Sequence, residues 1–262
     1  MNRINKLRVI KAIFGILSLA CLFSDAFAAD MEKGNCDSPR PFTDLRHCSF
    51  AGKKLPGINL HGALLDGVDF SNAKMSNCNL SGASLKKADL KWAMLMDCMI
   101  TNADLTKADL FHTTFDGSIL HGSQFVEANM FGANLNEVSA HKVDFTDAYM
   151  KDIAMEEGNF NGSIFNGCFM QRAVLIGSSL IDSTIYWAVL TGAALEDSNF
   201  SGADLTHSLV NGARMDNAIF TNARLEGTHF TNAILNGADF TNAQWIPRHL
   251  SEMIEQQNTS QH

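Results

Sequence analysis

The chain has 262 residues, a formal net charge of −8, 46% hydrophobic and 18% charged positions. That is length for one or two globular domains and rules out a small disulfide-stapled peptide. The apolar content rules out a disordered acidic tail. Prolines stand only at Pro39, Pro41, Pro56 and Pro247, and Phe outnumbers Tyr by 18 to 2.

Residues 1–28 read as a signal peptide. Arg3, Lys6, Arg8 and Lys11 precede an apolar run from Ala12 to Phe23, and Ala26-Phe27-Ala28 follows. This basic, apolar, small-residue order predicts export, with cleavage near Ala28 or Ala29 and a periplasmic or secreted product. The run is too short to span a bilayer, which takes roughly twenty residues. Lipidation at Cys21 is the weaker alternative, because Ser18 stands where a lipobox carries Leu. Cleavage leaves a charge of about −11 on the mature chain, which disfavours nucleic-acid phosphate and anionic lipid as direct partners.

A cap segment is expected over 29–47 and a single repeat array over 48–245. Every fifth residue from Phe50 to Phe240 is large and apolar in 38 of 39 cases, Ala140 being the exception. Two residues before it stands a small one in almost every unit, as at Ala63, Ala73, Cys78 and Ala88. Two residues after stands Gly or Asn in most units, and sixteen of the 19 glycines occupy that position. A period of five fits neither a helix nor a simple strand alternation, so it marks an internal repeat. The large and small residues, two apart in extended chain, share an inward face. The Gly or Asn then turns a corner, and four units make a coil of twenty residues that stacks on the next. A proline would remove a donor from that ladder, which accounts for the proline-free stretch after Pro56.

Ala88-Asp89-Leu90, Ala103-Asp104-Leu105, Ala108-Asp109-Leu110, Ala133-Asn134-Leu135, Ala203-Asp204-Leu205 and Ala238-Asp239-Phe240 resemble the motif of the pentapeptide-repeat family. The resemblance covers about three-quarters of the chain and implies an all-β fold, a right-handed quadrilateral β-helix forming one solenoid. Lys53 and Ile58 replace the small inward residue, so an irregular first coil is expected. Ala140, with bulky Val138, Val143 and Ile153 at small positions, predicts a compensated or distorted coil over 136–158, with Phe160 or these three residues filling the gap.

Both ends of such a stack need closing. Cys36 and Cys48 form a candidate disulfide at the front. Cys78 and Cys98, stacked inward neighbours, and Cys168 are expected as separate small core residues. At the back, Trp245 holds the central register, and a short helix over 247–256 brings Leu250, Met253 and Ile254 over the last coil. Residues 246–262 thus form a C-terminal helix and tail.

No phosphate loop, zinc pattern or nucleophile elbow is present, and no catalytic residue, cofactor or metal is expected. His121 and His141 stack at twenty-residue spacing without a third ligand. One outer column runs Asp69, Asp89, Asp109, Asn129, Tyr149, Phe169, Val189, Leu209. Phe111 and Phe131 lie beside it, with Trp92 and Trp187 at adjoining corners. Phe111, Phe131, Tyr149, Phe169, Trp187, Val189 and Leu209 form a candidate face for a protein partner or a homodimer, the C-terminal segment being the other dimer candidate. The resemblance supplies the alternative function: cytoplasmic members of the family are acidic rods that mimic DNA and bind DNA gyrase, a role for the acidic row Asp69, Asp89 and Asp109. Export argues against that alternative and for an exported, non-enzymatic interaction or scaffold module.

Overall fold

Two inward side chains per five residues leave the backbone to turn after each pair, and the computed structural model shows how it turns. It describes residues 31–260; the signal peptide expected over 1–28, with Cys21, lies outside them. In most units the central residue's carbonyl accepts the N–H three residues on, as from Ala63 to Leu60 at 3.0 Å. Every corner residue from Gly52 to Asn242 has positive φ, glycine or not. That is the dihedral pattern of a type II turn, repeated without a miss.

Each coil pairs with the next in parallel at a spacing of twenty residues, from Asp44↔Leu64 through Arg224↔Gln244. The ladder uses three N–H groups per unit. Phe50 N–H donates forward to the Asp69 carbonyl at 2.7 Å, Gly52 N–H to Ser71 at 2.7 Å, and Lys74 N–H back to Lys53 at 2.9 Å. This is the quadrilateral β-helix. The ladder begins at Asp44, four residues ahead of the boundary read from the sequence.

The central and small residues fill the interior and are almost all fully buried. Phenylalanines stack along the columns: Phe125, Phe145 and Phe165 at 5.2 and 4.9 Å, and Phe200, Phe220 and Phe240 at 5.0 Å each. Such a dry column has no partner for a phenolic hydroxyl, which explains the preference for Phe over Tyr.

The stretch 136–158 is compensated in packing, with no break in the ladder. Ser139↔Asn159 and Asn134↔Ala154 pair like their neighbours, and Val138, Val143 and Ile153 are buried. The ring of Phe160 occupies the space a Cβ on Gly158 would need, so one large ring and one glycine offset the short Ala140. The first coil also keeps its pairing, against the expected irregularity. Lys53 turns outward and places its Nζ over the Phe50 ring at 5.6 Å.

At the front, Asp44 N–H donates to Glu32 and Gly34 N–H to Asp44, so the cap folds back onto the first coil. Phe42 sets its ring edge-on to His61. At the back, α1 (Arg248–Ser260) starts directly after Pro247 and runs four residues beyond the expected end. Leu250 is fully buried, Met253 and Ile254 pack partly against the core, and His249 Nε2 accepts the Phe230 N–H at 3.0 Å. Trp245 is not in the central register. It is 65% exposed with φ 56°, because the chain leaves the ladder after Gln244 and crosses the end of the stack there. No described helix is long and apolar enough to cross a membrane.

Candidate functional site: an aromatic wall beside a bridged acid row

The ladder fixes the outer columns. Asp69, Asp89, Asp109, Asn129, Tyr149, Phe169, Val189 and Leu209 pair in unbroken succession, so these residues share one wall. Across the buried central residues of the same units stand Phe111 and Phe131. Their rings stack at 5.4 Å and 8°. Phe131 continues onto Tyr149 at 6.1 Å and 15°, and Tyr149 onto Phe169 at 5.5 Å and 5°. The stack therefore crosses from one column to the other as it climbs. Val189 and Leu209 prolong it as partly exposed aliphatic side chains.

Trp92 closes the front of this ribbon. It is 53% exposed, stands edge-on to Phe111 at 5.5 Å and stacks on His112 at 4.4 Å. His112 also meets Phe111 and Phe131 edge-on. The sequence reading missed His112, although its place twenty residues after Trp92 marks it. Trp187 is not part of the stack. It stands at the other corner, 67% exposed, against His207 at 4.4 Å. Ring faces in the stack are spent on one another, so the wall offers a partner a flat, half-buried apolar strip with mostly ring edges outward.

The acid row is coplanar with this strip but is not a free row of charge. Lys91 Nζ lies 2.9 Å from Asp89 Oδ2 and 3.5 Å from Asp109 Oδ2. Its pKa is raised, chiefly by the hydrogen bond to Asp89. Asp109 also accepts from Asn129 Nδ2 at 2.9 Å. Asp69 is held below the usual carboxylate range, first by the Ser71 side chain and then by the Ser71 N–H. Each of the three carboxylates also accepts the N–H two residues on, which fits the outward motif position to local turn bonding.

Cys36 and Cys48 are bonded, with Cα atoms 5.5 Å apart. Cys78 and Cys98 are bonded as well, which corrects the expectation of separate core residues. Stacking on successive coils brings their Cα atoms to 4.6 Å, inside the range a disulfide spans. Cys168 is free and buried, and burial pushes its thiol pKa up, so it stays protonated. His121 and His141 do lie side by side on one edge, 4.9 Å between ring centroids, with the rings tilted by 49°. His121 Nδ1 already accepts the His141 N–H at 3.1 Å, and burial lowers the His121 pKa.

A family model described as pentapeptide repeats matches in eight copies, which together cover residues 43–147 and 159–244. The chain belongs to the pentapeptide-repeat family, whose members fold as right-handed quadrilateral β-helices. Among solved structures it is similar to HetL, a pentapeptide repeat protein involved in heterocyst differentiation regulation from the cyanobacterium Nostoc sp. strain PCC 7120. Identity is 23% over 84% of this chain and 93% of HetL, with a TM-score of 0.46. It is also similar to QnrB1, a plasmid-mediated fluoroquinolone resistance protein, at 17% identity over 80% of this chain and 98% of that one, TM-score 0.44. Likeness at this level concerns the fold and leaves each protein's role its own. No curated protein sequence matches the chain.

Proposed function

We propose that the protein is exported and acts as a non-enzymatic scaffold that holds a protein partner against the wall running from Trp92 to Leu209. The observation that carries this reading is the unbroken run of ring contacts on an outer surface, Trp92 edge-on to Phe111 and then Phe111, Phe131, Tyr149 and Phe169 stacked in succession. Outer walls of a solenoid need only be polar to be soluble, and a long apolar strip there is the mark of an interaction surface. The order of charge and hydropathy in residues 1–28 supports export. The Lys91 bridge supports a protein-binding wall over a polyanion that imitates DNA, since it removes the spacing of free charges such mimicry needs.

Fractionation of the tagged full chain, with crosslinking in the cell envelope and identification of the captured protein, tests both halves. The wild type is expected in the periplasmic or secreted fraction with a discrete crosslinked partner. Replacing Phe131 and Phe169 with Ser should remove that partner while the far-ultraviolet circular dichroism stays unchanged. A cytoplasmic protein that inhibits gyrase supercoiling would overturn the reading.

A further inference from the structure

Three side chains at the front of the stack carry chemistry that the aromatic wall does not use. Cys36, His47 and Cys48 bring their ligand atoms within 4.8 Å of one another. His47 Nε2 lies 3.5 Å from Cys36 Sγ and 3.7 Å from Cys48 Sγ. Sulfur and imidazole ligands sit about 2.3 Å and about 2.0 Å from a d10 metal ion. At angles of about 110–120° around that ion, their mutual separation is about 3.5–3.7 Å. The imidazole therefore already stands at the separation of a shared ion from both sulfurs. The two sulfurs, bonded to each other in the disulfide, must part to about 3.8–4.0 Å on reduction to share that ion.

We propose that reduction of the Cys36–Cys48 disulfide opens a three-ligand site for a thiophilic d10 ion, Cu(I) or Zn(II), formed by Cys36, His47 and Cys48. Thiolate ligands suit both ions, and imidazole completes the set. The frame that holds the ligands does not depend on the disulfide alone. Cys48 N–H donates to Leu45 at 2.8 Å, Leu45 N–H to Leu64 at 2.9 Å, and the cap strand is tied through Gly34 and Asp44. His47 is exposed, which leaves the ion a path from solvent. Asp44 is occupied by Arg46 at 2.6 Å and does not compete.

The redox step balances with a dithiol as reductant. One of its thiolates attacks a cysteine sulfur and the Cys36–Cys48 bond breaks; its second thiol resolves the mixed disulfide. The reductant leaves as its own disulfide, and two electrons and two protons remain on Cys36 and Cys48. Metal binding then releases both protons to solvent as the thiolates coordinate.

The test uses the full chain, oxidised or reduced with dithiothreitol that is then removed anaerobically. Cu(I) is titrated in competition with bicinchoninate, and Zn(II) with a chromophoric chelator. One equivalent of either ion is expected after reduction and none before. His47→Ala leaves the disulfide and the fold in place, and should weaken uptake at least tenfold. Replacing Cys36 and Cys48 together with Ser should abolish it, while Cys78, Cys98 and Cys168 remain as an internal control. The proposal is overturned if the reduced chain leaves both ions on the chelators, or if His47→Ala binds as tightly as the parent.

Discussion

The hydroxyl of Ser163 donates to the Ala140 carbonyl at 2.7 Å and accepts the Val143 N–H at 2.9 Å, so it bridges a turn of the coil before its own. Ser118 does the same for Leu95 and Cys98, and Ser123, Ser178 and Ser208 serve three further turns. In each, the hydroxyl replaces the direct turn bond seen between Ala63 and Leu60. Ser183 differs: its hydroxyl donates to Leu180 in its own turn, whose N–H bond is intact at 3.2 Å. Ser163→Ala is therefore expected to lower the unfolding free energy by about 1–3 kcal/mol, because a buried N–H and a buried carbonyl both lose a partner. Ser183→Ala should lose about 1 kcal/mol or less. Urea unfolding of the two variants side by side measures the difference, and equal losses would contradict the bridging role. From the sequence, both serines are simply small residues at the inward position. What separates them is the turn twenty residues earlier, which a five-residue pattern does not display.

The elements at the two ends were legible to different degrees for a related reason. Pro247 followed by Leu250, Met253 and Ile254 announces a helix with one apolar face, and α1 uses that face on the last coil. Trp245 falls in the period by arithmetic, yet an inward place exists only while the chain stays in the ladder, and the last pairing is Arg224 with Gln244. Leu250 takes over the inward role and is fully buried. Leu250→Ala is expected to cost about 2–5 kcal/mol, the range for emptying a buried leucine site. It should also raise binding of a hydrophobic dye, as the core end that α1 packs against loses cover. Trp245→Ala should leave stability nearly unchanged, since its side chain stands in solvent. A loss from Trp245→Ala as large as that from Leu250→Ala, read from urea midpoints, would show that the end is closed differently. The disulfide between Cys78 and Cys98 belongs to the same lesson. Strand spacing alone suggested two thiols held slightly apart, whereas the coil-to-coil approach at that column is 4.6 Å between Cα atoms.

At the scale of the whole molecule, the unit of sequence and the unit of structure are not the same length. Residues repeat every five, but every ladder pair, Phe stack and serine bridge joins residues about twenty apart. A solenoid whose coils touch only their neighbours loses or gains stability roughly one coil at a time. Removing residues 176–195, one full coil, should therefore leave Leu209 next after Phe169 in the outer column and every inward column in register. Removing only 176–180 should be worse, although it deletes fewer atoms. It turns everything after it by one wall, so Val189 and Leu209 leave the aromatic strip, and Ile164 meets Val189 in place of Thr184. The inward side chains remain large and small in alternation, so this variant should still form β-structure. Its urea midpoint is expected to fall below that of the twenty-residue deletion, and its partner crosslinking should weaken. A five-residue deletion as stable as the full-coil deletion would mean that any unit accepts any neighbour. The particular pairings of Phe on Phe and of Ser163 with Ala140 argue that they do not.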